Sequence, residues 1–358
     1  MTSSPNVAPK KTVLVTGVGG RSVGSGILHS LVRASDEVRA RWRVIGADAD
    51  PFAWGLYKAD AAALLPFANS PDYLPAVRRL VDEHHIDAIV PGTEAEIRPL
   101  LENAAQLAPA VVIANRLDLL PLMLDKFATA AKLTELGYAV IPTVPLAEWR
   151  DIANQHGFPL IVKPTRETGG SRGLHLVRDA EELQRLLPLV DQRTAPCVQP
   201  YVGDAEHEYT VGVLTDRDGR LIDSIVMHRK LLGLSLLTAT KVDDRRCALS
   251  TGYSQGFIVR ESKIQTFCER LAAQLDSRGP LNVQLRIDPR NDQSYVFEIH
   301  PRFSGTTPIR ADVGFNEVDV LLRNALFGET FGRLGYRTDV AAIRAFEHVI
   351  VPLDKYLS

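Results

Sequence analysis

The chain has 358 residues, 45% of them hydrophobic and 23% charged, with a formal net charge of −2. That length predicts two to three domains, and the composition excludes a chain disordered over most of its length. Near-neutrality argues against a dedicated nucleic-acid binder, and no apolar run approaches the roughly 20 residues of a membrane-spanning helix.

The three cysteines, Cys197, Cys247 and Cys268, are odd in number and far apart. They suggest neither a disulfide framework nor a zinc site, and they fit a reducing, cytoplasmic location. Residues 1–11 lack the apolar core of a signal peptide and read as a loose tail.

From residue 12 to 118, strands and helices alternate. Residues 12–16 (TVLVT), 43–47 (RVIGA), 88–90 and 111–114 read as strands, and 27–33 and 73–84 as helices. This is the pattern of βαβ units on a mostly parallel sheet. Residues 119–196 form a second piece. Helices run to 136, 159–163 (PLIVK) is a strand, 165–173 (TRETGGSRG) a polar glycine loop, 174–178 a returning strand and 180–190 a helix. Residues 197–358 form a third, with candidate antiparallel strands at 198–201, 208–214, 221–227, 281–287 and 294–299 and a helix at 261–275. The class is α/β shading into α+β.

The turn Gly17-Val18-Gly19-Gly20-Arg21-Ser22-Val23-Gly24 follows a strand and opens a helix. A dinucleotide fingerprint needs glycine where Ser22 stands, although Asp48 could serve as its acid. The favoured reading is a tight strand-to-helix turn, with Asp48 and Asp50 capping the chain.

Strict alternation over 281–287 puts Asn282, Gln284 and Arg286 on one face, and the same period puts Glu298 and His300 together. Paired as a hairpin, Gln284, Glu298 and His300 converge. Carboxylate and amide oxygens suit Mg²⁺ or Mn²⁺, with Arg302 beyond them for a phosphoryl oxygen. The alternative is an ordinary amphipathic hairpin with one wet face; the following Phe303-Ser304-Gly305-Thr306-Thr307 favours an anion site. Lys163 ends an apolar strand, and the loop after it carries Gly169, Gly170, Ser171 and Gly173, whose backbone N–H groups can wrap phosphate oxygens.

The ordered set Lys126, Lys163-Pro164, the glycine loop, Gln199-Pro200-Tyr201-Val202, Glu208-Tyr209-Thr210-Val211, Gln284 and Glu298-Ile299-His300-Pro301-Arg302 resembles the ATP-grasp superfamily. It looks most like the branch of the carbamoyl phosphate synthetase large subunit, which includes stand-alone amino-acid ligases. The resemblance implies a Rossmann-like pre-ATP-grasp domain at 12–118, connecting helices and a lid subdomain at 119–196, and a larger antiparallel-sheet subdomain from 197. ATP would lie between the last two. It further implies Lys126 and Lys163 as phosphate-binding cations and residues 169–173 as the lid loop. Tyr201 and Val202 become the adenine hinge, Glu208 the ribose acceptor, Gln284 and Glu298 the metal ligands, and Arg302 the arginine on the transferred phosphoryl group. The family has Asn where this chain has His300, and an acid where it has Gln199, whose oxygen would then receive the adenine amino group.

The implied activity is an ATP-dependent carboxylate–amine ligase working through an acyl phosphate. Arg229, Lys230 and Arg310 are the candidates for holding the substrate carboxylate. The alternative is a kinase or phosphotransferase that stops at the phosphorylated product; a non-catalytic nucleotide-binding module is a third reading. Expected partners are a small carboxylate and an amine, with neither nucleic acid nor membrane; a homodimer is compatible with the sequence.

Overall fold

The computed structural model describes residues 10–20, 22–165, 173–242 and 244–357. Packing divides the chain into two units. One takes the chain up to Leu117 with Phe303–Gly335 and the stretch from Phe346 on; the other takes Asp118–Arg302 with Tyr336–Ala345.

The first unit is built on five parallel strands: β1 (Lys11–Thr16), β2 (Trp42–Asp48), β3 (Ala61–Leu64), β4 (Ala88–Val90) and β5 (Val111–Val112), in the order β3-β2-β1-β4-β5. Val13, Leu14 and Val15 of the central strand are fully buried, as the continuous apolar run TVLVT requires of a strand covered on both faces. The glycine turn behaves as a tight turn. A Cβ on Gly24 would stand 2.3 Å from the Gly17 carbonyl oxygen, and one on Gly92 would stand 2.0 Å from that of Thr16. Asp48 accepts the Gly19 N–H at 2.8 Å and the Asp50 N–H at 3.0 Å, so its carboxylate fastens the turn.

Residues 303–335, which the sequence division left with the C-terminal subdomain, pack in this first unit. Pro308, in the helix Thr307–Asp312, lies against Gly26 of the helix Val23–Val32. Asn316 donates to the Ser30 carbonyl at 2.7 Å, and the Trp42 indole N–H donates to Asp319 at 2.8 Å. These partners lie far apart in sequence, so no local pattern announces them.

The second unit holds two larger sheets. The smaller has four strands, β6 (Val144–Pro145), β7 (Leu160–Pro164), β8 (His175–Val177) and β9 (Pro196–Pro200), ordered β6-β9-β7-β8. Its core joins Leu160, Val162, Val177 and Val198 to Trp149, Ile152 and Leu183 from flanking helices. The remaining strands are β10 (Glu208–Thr215), β11 (Leu221–Arg229), β12 (Leu236–Val242), β13 (Arg245–Ser250), β14 (Gly256–Val259), β15 (Pro280–Asp288), β16 (Gln293–His300) and β17 (Val340–Ala342). Six of them make an antiparallel sheet, β16-β15-β10-β11-β14-β17, while β12 and β13 form a separate hairpin. One face of the large sheet packs Val211, Val213, Val283 and Leu285 against Ile264, Cys268 and Leu271 of the helix Ser262–Gln274. The opposite face is polar, and it carries the site. No described helix is long and apolar enough to cross a membrane.

Candidate active site

The alternation read from the sequence becomes register. Gln284 on β15 pairs with Glu298 on β16, Asn282 with His300, and on the other side Glu208 of β10 pairs with Arg286 and Thr210 with Gln284. Successive polar residues therefore share one face.

Glu298 is the hub of that face. Its Oε1 accepts from Lys126 Nζ at 3.3 Å; its Oε2 accepts from Gln284 Nε2 and His300 Nε2, both at 2.9 Å. Burial pulls its pKa upward, but Lys126, His300 and Lys163 outweigh burial and hold the carboxyl well below the usual range. It is ionised at neutral pH. Lys126 opens the helix Lys126–Glu135, which Asp125 caps by accepting the N–H groups of Phe127 at 2.8 Å and Ala128 at 3.3 Å. The cap fixes where that helix starts and so fixes the reach of the Lys126 ammonium.

Lys163 stands on β7 opposite Cys197 and is buried. Burial first, then the nearby Lys126 charge, pushes its ammonium down to about 8, with Cys197 and Glu298 working the other way. Two ammonium groups thus lie within electrostatic reach of one carboxylate. Of the glycine loop, Gly169, Gly170 and Ser171 lie outside the described residues. Gly173 has φ +66°, a conformation glycine adopts without strain.

The remaining candidates fall into place unevenly. Arg302 donates to His300 Nδ1 at 3.3 Å, so Nδ1 carries a lone pair and Nε2–H donates to Glu298. Both ring nitrogens are thereby engaged. In this arrangement His300 orients the Glu298 carboxylate. Gln199 donates to the Thr143 hydroxyl at 2.7 Å, while that hydroxyl donates to the Ile141 carbonyl. Thr143 must therefore accept from the Gln199 amide nitrogen, and the Gln199 oxygen is the end left to receive a donor. Tyr201 is buried. Its hydroxyl donates to the Ala248 carbonyl at 3.1 Å and accepts the Ala248 N–H at 2.9 Å, and its own N–H donates to the Pro159 carbonyl. Val202 follows in the connection to β10.

Glu208 sits in a buried ion-pair network. It is fully buried, bonded to Arg229 at 2.8 Å on one oxygen and to Arg286 at 2.7 and 3.0 Å on the other. Burial raises its pKa, but Arg286 and Arg229 hold it below the ordinary value. Arg229, expected to hold a substrate carboxylate, is buried against Glu208, Gln284, Ser250 and Thr251. Lys230 lies beside Glu206 at 3.4 Å. Arg310, in the first unit, is buried on both oxygens of Glu317 at 3.1 Å, so its guanidinium already holds a carboxylate of its own chain. The sequence reading passed over Arg286, whose guanidinium also sits 4.3 Å from the Tyr201 ring centre and donates to the Ala248 carbonyl. Its position in the alternation beside Gln284 was the signal.

Glu208→Gln removes one charge and leaves two buried guanidinium groups. Breaking such a network costs about 3–5 kcal/mol. The expected result is a fall in Tm of about 10 °C by calorimetry. An unchanged Tm would contradict the network's structural role.

Residues 13–113 match the PylC-like N-terminal domain, and residues 125–227 match the ATP binding domain of the carbamoyl-phosphate synthase L chain. The carbamoyl phosphate synthase large chain of Methanoculleus marisnigri is 22% identical over 365 residues, covering 96% of this chain and 33% of that one. The chain thus spans about a third of the length of that curated relative. N5-carboxyaminoimidazole synthetase from Staphylococcus aureus superposes with a TM-score of 0.63 at 15% identity, over 92% of this chain and 81% of that chain. The biotin carboxylase domain of Hydrogenobacter thermophilus 2-oxoglutarate carboxylase, solved with MgADP, ADP and bicarbonate, superposes at 0.61 with 19% identity over 92% and 71%. The fold is that of the ATP-grasp enzymes. Within that fold, residues 125–227 are similar to the ATP-binding domain of the carbamoyl phosphate synthase large chain.

The site fits Mg²⁺ or Mn²⁺. Glu298 is ionised, and Gln284 stands beside it with its amide nitrogen on the carboxylate and its amide oxygen on Arg229. Among the described residues no group of three or more His, Cys, Asp or Glu could hold a metal by itself. Mg²⁺ is commonly bound by one or two carboxylates and completes its shell with phosphate oxygens and water.

Proposed function

We propose that the protein is an ATP-dependent ligase that activates a small carboxylic acid, such as an amino acid, and joins it to an amine. The observation that carries this reading is the cluster of Lys126 and Lys163 about the ionised Glu298, with Arg302 linked to it through His300. Phosphoryl transfer needs positioning and charge neutralisation more than covalent chemistry from the protein. The similarity to ATP-grasp carboxylases and synthetases, one of them solved with MgADP, supports the same reading.

Lys126 and Lys163 hold phosphate oxygens, and Arg302 holds the phosphoryl group in transfer. Glu298 and Gln284 hold the divalent cation, which when bound neutralises charge across the phosphates. The Gln199 oxygen accepts from the adenine amino group, with the Tyr201–Val202 backbone beside it. A substrate carboxylate oxygen attacks the γ-phosphorus as ADP leaves. The amine nitrogen then attacks the acyl carbon, phosphate leaves, and the amide forms.

ADP release should be screened over amino acids and small acids in the presence of hydroxylamine, a small nucleophile able to replace the amine. The expected result is acid-dependent ADP formation with a hydroxamate product. A stable phosphorylated compound in its place would contradict the ligase reading and identify a kinase. Light scattering on the same sample tests a homodimer.

A further inference from the structure

Gln284 faces Glu298 with its nitrogen. Nε2 donates to Glu298 Oε2 at 2.9 Å, while Oε1 accepts from Arg229 Nη1 at 3.2 Å. A cation on the Glu298 carboxylate needs the Gln284 oxygen turned toward it, because an amide N–H₂ offers only donors. With that oxygen turned inward, N–H₂ would point at the Arg229 guanidinium, donor against donor. The two arrangements exclude each other as long as Arg229 keeps its place.

Several contacts keep it there. Arg229 is 1% exposed and bonds Glu208 at 2.8 Å, Ser250 Oγ at 3.0 Å and the Thr251 carbonyl at 3.0 Å. Ser250 ends β13, and Thr251 follows it. The neighbouring Ala248 is fastened to the same face through Tyr201 and Arg286. The β12–β13 hairpin is therefore tied, through one guanidinium, to the side chain that touches the metal carboxylate.

We propose that Arg229 is a positioning residue that sets which end of the Gln284 carboxamide faces Glu298. In the arrangement described, Arg229 holds Gln284 with its nitrogen inward. A divalent cation at Glu298 requires the carboxamide to turn over and release Arg229, so seating of the β12–β13 hairpin opposes metal binding. This inference rests on the reading of Glu298 as a metal ligand.

The test uses Mn²⁺ with ADP, the free Mn²⁺ being counted by its electron paramagnetic resonance signal. Arg229→Lys keeps a positive charge for Glu208 but replaces the forked guanidinium with one ammonium, which loosens the hold on Gln284. The expected result is three- to tenfold tighter Mn²⁺ binding in Arg229→Lys. The effect should vanish in a Gln284→Glu background, where both ends of the side chain are oxygen and no turn is needed. A purely structural role would leave Mn²⁺ affinity unchanged or weaken it, and either result overturns the inference. No Mn²⁺ binding by the parent protein would instead overturn the metal reading of Glu298, which keeps the two failures distinguishable. Should Arg229→Lys fail to fold, the parent protein labelled with ¹⁵N-glutamine answers the question. The Gln284 side-chain amide resonances, assigned by their loss in Gln284→Glu, should shift when Mg²⁺ is added to the ADP complex. Resonances that stay in place contradict the turn.

Discussion

Replacing Glu298 with alanine is expected to lower ADP release on the order of a thousandfold, the scale seen when one preorganised electrostatic group is lost. The carboxylate touches three donors, Lys126, Gln284 and His300, and its negative charge is what two ammonium groups and a cation are arranged around. Without it, Lys126 and Lys163 repel each other unscreened, and the cation loses its only carboxylate in the described cluster. Glu298→Gln separates the two effects. It keeps an oxygen for Lys126 but not the charge, so it should also lose turnover while staying folded. Steady-state ADP release at saturating Mg²⁺, with calorimetry as the folding control, checks both. Turnover within tenfold of the parent in either variant, or full activity in excess EDTA, would remove Glu298 from the metal role.

Lys163→Ala is expected to weaken nucleotide binding or turnover at least tenfold, about 1.4 kcal/mol or more. The pH dependence makes the assignment sharper. In the free protein the Lys163 ammonium titrates near 8 rather than near its ordinary 10.5. Above about 8 the site sheds a positive charge, so ADP affinity should fall between pH 7 and 9. That slope should be absent in Lys163→Met. Stability moves the other way. The folded pKa lies below the unfolded one, so between about 8 and 10.5 the unfolded chain binds more protons, and this group's contribution to stability rises with pH through that window. Isothermal titration with ADP and thermal melts over the same pH range check the two signs. An ADP affinity with the same pH slope in Lys163→Met would contradict the role of this lysine.

Much of the site was legible because strand alternation is a local signal. The period-two pattern of 281–287 and 294–299 placed Gln284 opposite Glu298, and the register bears this out. The same alternation put Arg286 on that face. The surroundings of Glu208 are something alternation cannot supply. Its direction follows from β10, but its cover comes from Arg229 on β11 and Arg286 on β15, under a face where Ala248 and Ser250 of β13 are also fastened. Strand β13 (RRCALS) belongs to a hairpin that the sequence reading did not separate from its surroundings. His300 was legible as a member of the cluster, whereas its role depends on which nitrogen Arg302 reaches, a matter of ångströms. In the first unit the strand β3 is AAAL, too poor in β-branched residues to stand out. The placement of residues 303–335 with the N-terminal sheet rests on partners such as Trp42 and Asp319, 277 positions apart.

In the proposed reaction the phosphoryl group passes to a carboxylate. Isotope transfer reads this directly. A substrate acid labelled with ¹⁸O in its carboxylate should be turned over with ATP and its amine, and the inorganic phosphate analysed by mass spectrometry. Transfer through an acyl phosphate leaves one labelled oxygen in each phosphate released, because the acyl carbon–oxygen bond breaks when the amine attacks. Phosphate free of label, or no phosphate beside a stable phosphorylated product, would contradict the account.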